Sequence, residues 1–507
     1  MTKPQSTRTH HPEPSPGTGR TGAVGVTRAL GVVADDAKPS GLITLSGTEM
    51  WERFSFYGLQ VLLAYYLYFS LADGGLGLPQ AVALGIAGSY GGLVYIAQIV
   101  GAWIADRVLA AKHVVFIGAA AIMIGHLLLA FVPGLIGLVC GLALIVVGTG
   151  GLKVNTTMMV GALYPEGGAK RDAGYSIYYM GITIGAFFGP LLTGVLHQNW
   201  GFHVAFGAAA AGMAVGLVQY AVGMRKLPAG TAVVPNPLPA RSRKAWAGIA
   251  LLAIAVIAVA VAVGIIRAEN ISDVVALVVV GAAIAYFAVL LSSREVSRAE
   301  RYDVIRFVPI FLMSLVFWTL LFQLFTAFAV FADTKIDLSL GSVSVSPTLI
   351  VTLESLVVAA FTALLALLWS RSRASRISPV TKVVSGVVFM GLGAAAIVPF
   401  SIATGQSMPL FVAIAVMLLF AMGEALFAPA ALSITAGMSP RSANAQMTAL
   451  YFLTMAGGST LAGRISQFYE TGSEAQYFGT VAVISLAAIV VLALIWRAVD
   501  RTLQRRA

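Results

Sequence analysis

Glu49, Glu52 and Arg53 stand in the stretch Glu49-Met50-Trp51-Glu52-Arg53-Phe54-Ser55-Phe56-Tyr57-Gly58, inside an otherwise apolar run from about residue 43 to 71. Glu49 and Arg53 are four apart, which sets an acid and a base on one helix face in the favourable order. Glu52 is three from Glu49 and belongs to the same patch. If this helix crosses a bilayer, each charge near its centre costs roughly 2.5 to 3.5 kcal/mol, so three left unpaired would cost about 9 kcal/mol. Such a cluster is kept where its charges are paired and used.

The elements that must position it follow from composition. Of 507 residues, 58% are hydrophobic and 10% charged, with a mean hydropathy of +0.88, where soluble domains carry roughly 25% charged residues. The chain reads as an all-α polytopic membrane protein. Its net charge of +11 sits in short loops between apolar spans, so it reports topology and not nucleic-acid binding. No run resembles a Walker motif, which argues against an ATP-driven pump. The histidines at or inside spans (His126, His197, His203) are scattered, so neither a metal site nor an enzyme is expected. The single cysteine, Cys140, excludes an intramolecular disulfide and reads as a small packing residue.

Residues 1–40, rich in Pro, Thr, Gly, Arg and His, read as a disordered cytoplasmic tail. Fourteen apolar spans of crossing length follow, at about 43–71, 81–107, 113–132, 135–163, 172–197, 202–224, 245–267, 272–292, 304–331, 347–370, 380–402, 408–437, 443–468 and 477–497. Arg and Lys gather in the loops of one face (Arg107, Lys112, Lys170, Arg171, Arg225, Lys226, Arg294, Arg298, Arg371, Arg373, Arg376). The opposite loops hold acids such as Asp73, Asp337 and Glu470. Both termini are therefore expected in the cytoplasm, with an even number of spans. A Pro-rich basic linker and two spans of Ala, Val, Ile and Leu without central charge, 227–303, separate six spans (41–226) from six more (304–498), with a short cytoplasmic tail at 499–507. That is the arithmetic of a two-lobed carrier built from repeated bundles.

Arg53 and Lys153 each lie about four residues to the cytoplasmic side of their span middles, some 6 Å at 1.5 Å per residue, so they can share a cavity. Glu424 falls close to the middle of a span in the second lobe. Cations in one lobe and a carboxylate in the other suit a zwitterion such as a peptide, whose ends are roughly 7 Å apart for two extended residues and 10 Å for three. Tyr57, Tyr90, Tyr178 and Trp318 are candidates for an apolar wall, although Tyr and Trp also serve as interfacial belts. Asp106-Arg107 reads as a structural hinge contact, and Arg464, near a span end, as a snorkelling side chain.

Several stretches resemble the proton-dependent oligopeptide transporters of the major facilitator superfamily. They are Glu49-x-x-Glu52-Arg53 with Phe54, Tyr57 and Gly58; Tyr90; Gly101-Ala102-Trp103-Ile104-Ala105-Asp106-Arg107; Gly150-Gly151-Leu152-Lys153-Val154-Asn155; and Tyr178-Tyr179-Met180-Gly181 before Gly185-Ala186-Phe187. In the second half they are Phe317-Trp318 with Gln323, and Gly423-Glu424 with Pro429 and Leu432-Ser433. The resemblance implies the major facilitator fold, two six-helix bundles with two extra helices between them. It also implies a proton-coupled symporter in the cell membrane that imports di- and tripeptides by alternating access, works as a monomer, and uses protons as the coupling ion with no other cofactor. Asn155 and Ser433 join the expected substrate residues with Arg53, Tyr57, Tyr90, Lys153, Tyr178, Trp318, Glu354 and Glu424. A proton antiporter exporting drugs or metabolites, or a family member importing something other than peptides, remain as alternatives.

Proton coupling requires a carboxyl that titrates near neutral pH, about two units above a model Glu. Glu49 and Glu52 are expected to exchange Arg53 and Lys153 as partners. The sequence also departs from the family pattern. Many members carry a glutamate shortly after the Phe-Trp pair, and here Thr319-Leu320-Leu321-Phe322-Gln323 follows Trp318. Glu354 stands one span later, where an asparagine is usual. It is either the relocated acid or an acid facing a water-filled vestibule.

Overall fold

The computed structural model describes residues 40–165, 168–340, 343–371, 377–402 and 407–504. The expected N-terminal tail, Arg373, Arg376 and the last three residues lie outside them. Helices α1 (Ser40–Tyr68), α2 (Gln80–Arg107), α3 (Ala111–Phe131), α4 (Gly134–Ala162), α5 (Gly168–Trp200) and α6 (Phe202–Gly223) form the first half. Next come α7 (Ala240–Ala262) and α8 (Ile271–Ser292). The second half holds α9 (Arg298–Leu321), α10 (Ala327–Lys335), α11 (Pro347–Arg371), α12 (Pro379–Ile402), α13 (Leu410–Gly437), α14 (Asn444–Ser466) and α15 (Glu474–Gln504). The last helix runs on past the boundary at 498 read from the sequence.

Twelve described helical stretches are long and apolar enough to cross a membrane, with α9 and α10 counted as one. The other two core helices are α1 and α14. Both fall short because of what they carry: α1 holds the charged cluster, and α14 is rich in Gly, Ser and Thr. Both nevertheless pack inside the bundle, giving fourteen spans.

Small residues set how closely these helices approach. Gly185 and Gly189 of α5 lie so close to α1 that a Cβ would fall 2.2 Å from the carbonyl oxygens of Met50 and Phe54, a small-xxx-small approach of two backbones. Gly101 of α2 meets the Gly150 carbonyl of α4 in the same way. In the first half, α1 packs on α5 and α6, α2 on α4, and α3 on α4 and α6. In the second half, α12 packs on α13 and α15, α9 on α14 and α15, and α11 on α13.

The span that begins at α9 is broken. A capping box of Ser297 and Glu300 starts it, and after Leu321 a 3₁₀ turn, Phe322–Phe325, precedes α10. Buried Gln323 holds the break, its Oε1 accepting from Tyr477 Oη at 2.6 Å and Ser466 Oγ at 3.0 Å.

The two halves meet through α2 against α14 and α5 against α11. A Cβ on Gly88 would lie 2.5 Å from the Gly463 Cα, and Ser459 Oγ donates to the Gly88 carbonyl at 2.9 Å. Tyr65 Oη donates to the Ala329 carbonyl and Tyr68 Oη to Asp333, both at 2.9 Å. These contacts gather toward the end of the molecule where α1 finishes, α2 begins and α11 begins. At the same end α8 touches both halves: Ser272 Oγ donates to the Gly85 carbonyl at 3.0 Å, and Asp273 pairs with Arg464 at 2.7 Å. Arg464 is thus an ion-pair partner, where the sequence suggested a side chain reaching for the interface.

At the other end the linker is tied to α2. Asp106 pairs with Arg107 at 3.1 Å and accepts from Asn236 Nδ2 at 2.8 Å, and the Leu238 amide donates to the Arg107 carbonyl. Helix α7 buries none of its residues, and Trp246 rests on Trp103 of α2 with ring centroids 4.9 Å apart. Cys140 is exposed on α4, which corrects the packing reading: it faces outward with Ile136 and Val139, while Leu138 and Leu142 turn inward.

Candidate functional site

The charged face of α1 meets α4. Arg53 grips Glu52 with two hydrogen bonds, Nε to Oε2 at 2.5 Å and Nη2 to Oε1 at 2.7 Å, and its Nε lies 3.6 Å from Glu49 Oε1. Lys153 donates to the same Glu49 oxygen. Thr149 and Thr156, four before and three after Lys153 and so on its face of α4, complete the carboxylates' shells. Thr149 Oγ1 donates to Glu52 at 3.2 Å and Thr156 Oγ1 to Glu49 Oε2 at 2.9 Å. Tyr178 of α5 backs this arrangement, its Oη 2.9 Å from Thr156 Oγ1 and 3.0 Å from Thr157 Oγ1. Both glutamates are fully buried, while the Lys153 side chain keeps 21% of its exposure. Two carboxylates and two cations make a closed ionic group, with one cation within reach of solvent. Such a group survives burial only when every charge has its partner.

Above it lies an aromatic layer. The Arg53 guanidinium sits 4.6 Å from the Phe56 ring centroid and 5.7 Å from that of Tyr57. Tyr90 lies over Phe56 at 6.3 Å. Trp318 of α9 stacks on Phe322 at 5.7 Å and meets Phe427 and Tyr451 edge-on. Tyr90 Oη and Trp318 Nε1 are buried without a hydrogen-bond partner among the described residues.

In the second half, buried Glu354 of α11 and half-buried Glu424 of α13 stand on helices packed against each other, with their carboxyl groups within electrostatic reach. Tyr57, half-buried at the middle of α1, is within electrostatic reach of Arg53 and Glu52 on one side and of Glu354 and Glu424 on the other. Tyr95 of α2 likewise feels Arg53 and Glu424, and Tyr451 of α14 feels Glu424. Tyr57 and Tyr95 are therefore within electrostatic reach of charged groups from both halves.

The structure brings Glu49, Glu52, Arg53, Lys153, Tyr57, Tyr178, Glu354 and Glu424 into this arrangement, with Tyr90 and Trp318 at its edge. Two candidates are placed elsewhere. Asn155 is buried, and its amide donates to the carbonyls of Gly151 at 2.7 Å and Gly101 at 3.3 Å, so it ties α2 to α4 and has no N–H left for a ligand. Ser433 is exposed nine residues beyond Glu424, half a turn round α13 from it. Sequence reasoning missed Thr149, Thr156, Phe56, Tyr95 and Tyr451. The threonines had a signal in their spacing about Lys153, and the tyrosines had none.

Comparison with known proteins decides the family. The model of the POT family matches residues 112–484. The chain belongs to the POT family. An uncharacterized transporter of Bacillus subtilis, YclF, is 35% identical over 92% of this chain and 95% of its own length. A di-/tripeptide transporter of Lactococcus lactis subsp. cremoris is 31% identical over 90% of this chain and 95% of its own. Among solved structures, the peptide transporter POT in complex with sulfate superposes with a TM-score of 0.87 at 34% identity, covering 93% of this chain and 99% of that one. A POT family transporter in complex with 5-aminolevulinic acid gives 0.86 at 28% identity, covering 91% and 97%. The fold is that of POT family members, a multi-pass membrane protein of two six-helix bundles with α7 and α8 between them.

Proposed function

We propose that this POT family member is a proton-coupled symporter that imports di- and tripeptides by alternating access. The observation that carries the reading is the buried Glu49–Glu52–Arg53–Lys153 group of the first half, with Glu354 and Glu424 of the second half in electrostatic reach of Tyr57 on the same helix as Glu49, Glu52 and Arg53. A zwitterion spanning the two meets cations at one end and carboxylates at the other. Relatives named as di-/tripeptide transporters support the substrate class.

The basic loops of one face support a cell-membrane protein with both termini in the cytoplasm. On that orientation the Tyr68 end, where the halves touch, is extracellular, and the arrangement is closed to the outside. The chain works as a monomer of two bundles (41–226 and 304–498) with the inserted pair (227–303) between them. It needs no cofactor beyond the coupling proton. Proton movement runs through exchange of partners: Lys153, the partly exposed cation, leaves Glu49 for the substrate carboxylate, and the freed carboxyl takes up a proton.

Accumulation of labelled dialanine in proteoliposomes tests the reading. An imposed inward proton gradient is expected to drive concentrative uptake that collapses with a protonophore. Gradient-independent equilibration, or proton-driven efflux only, removes it. A second reading has one specific support, the POT family structure holding 5-aminolevulinic acid. Competition of that amino acid with dialanine in the same vesicles separates a broad amino-and-carboxylate site from a peptide site.

A further inference from the structure

Helix α8 presents one buried stripe, Ser272, Val275, Val279 and Ala283, at the three-and-four spacing of a single helix face. It packs on α2 of the first half and on α14 and α9 of the second, so one helix borders both. Its attachments to the two are unlike. Toward the second half, Val275, Val279 and Ala283 share an apolar cluster with Phe307, Ile310 and Leu453, and Asp273 pairs with Arg464 of α14 at 2.7 Å. Only residues 293–297 separate α8 from α9, and Arg301 Nη2 fastens that turn by donating to the Ser293 carbonyl at 2.7 Å.

Toward α2 the attachment is slighter. Ser272, fully buried, donates to the Gly85 carbonyl at 3.0 Å, and its Oγ lies 3.2 Å from Ser89 Oγ. Ser89 donates to the same carbonyl at 2.7 Å. A carbonyl oxygen accepts two donors, so Gly85 keeps its Ser89 partner when Ser272 leaves. Leu93 and Ile96 of α2 rest against the apolar cluster while only partly buried. Parting α8 from α2 therefore breaks one hydrogen bond and a half-exposed apolar contact, whereas parting it from the second half breaks an ion pair, a buried cluster and a tight turn.

We propose that α8 is a strap across the seam, which travels with the second half and fastens to α2 through Ser272, letting go there when the Tyr68 end opens. The inference rests on the alternating-access reading and goes beyond it, because it gives the inserted pair a part in setting how long that end stays shut. The contacts of Tyr65 and Tyr68 join α1 to α10. Ser272 adds a separate fastening on a different helix of the first half.

The full chain carrying Cys140→Ser, spin-labelled in pairs at exposed positions and held in lipid nanodiscs, tests this by electron–electron distance measurement. Leu71→Cys with Phe468→Cys reads the seam, Leu71→Cys with Leu277→Cys reads α8 against the first half, and Leu277→Cys with Phe468→Cys reads α8 against the second. We expect a longer-distance population in the first two pairs and a single distance in the third. Ser272→Ala should enlarge the longer population about fivefold, the worth of one net hydrogen bond, and leave the third pair unchanged. A seam that lengthens while α8 keeps its distance from Leu71, a third pair that lengthens, or a Ser272→Ala population equal to that of the wild type overturns the strap. A seam pair that never lengthens removes the alternating-access reading, and the strap falls with it.

Discussion

Glu49 and Glu52 each lie against a fixed cation, whereas Glu354 and Glu424 stand within electrostatic reach of each other with no ion pair among the described residues. The two halves thus solve the same burial problem differently. In the first half, arginine and lysine neutralise the acids, threonines fill the remaining lone pairs, and the group holds together without substrate. In the second, the two acids have no ion pair among the described residues. A fixed counterion gives a group that must be opened by competition, and acids without one give a site that a new cation can enter directly. Both open toward the same tyrosines, so one ligand can act on both.

The largest expected effect breaks the first arrangement. Lys153→Ala strands Glu49 with a distant share of Arg53, and losing one partner of a buried pair costs about 3–5 kcal/mol, near the lower figure here because Lys153 is partly exposed. Thermal unfolding in detergent should fall accordingly, and proton-driven uptake should drop to background. Glu52→Gln is expected to abolish uptake as well, and accumulation at the wild-type level in either variant would remove the exchange mechanism. The double variant Glu49→Gln with Lys153→Met should regain most of the stability while transport stays lost, which separates the structural from the coupling role.

The second arrangement should respond in the opposite sense. Glu424→Gln replaces one of two neighbouring acids with a neutral amide that can donate to the other, so stability should change by no more than about 1 kcal/mol, while uptake of dialanine falls strongly. A large fall in melting temperature would contradict the contrast between the halves.

The seam between the halves ranks next. Gly88→Val puts side-chain atoms where the Gly463 Cα already stands, an overpacking expected to cost about 1–3 kcal/mol. It should also favour separation at the Tyr68 end, read as faster hydrogen exchange of the backbone amides of α2 around Gly88. Asp273→Asn is expected to change stability by less than about 1 kcal/mol, because the Asp273–Arg464 pair is partly exposed. A larger loss would show that α8 binds the halves together more firmly than its exposure suggests.

What the sequence could disclose depended on whether a signal was local. The Glu49–Arg53 spacing, the run to Lys153 and the count of spans are all readable along one helix, and they led to the first-half group. Glu354 could be noticed as a departure, but its nearness to Glu424 joins helices 70 positions apart in the chain, and only packing of α11 on α13 sets it. Asp273 and Arg464 are 191 positions apart, so a side chain read as idle has a partner. Asn155 shows a further limit: residue type was legible, but not the direction in which its amide points. The break after Leu321 escaped notice because the residues that hold it, Gln323, Ser466 and Tyr477, come from three helical segments.

Helix α7 lies outside both arrangements. Of its 23 residues α7 buries none, so its length, roughly 35 Å at 1.5 Å per residue, answers to the thickness of the lipid around it and not to the shape of a protein neighbour. Exchanges among Ala, Val, Ile and Leu along it should therefore be silent in both transport and melting. Lipids with shorter or longer tails should act on it first, making it the part of the protein most exposed to a change of membrane.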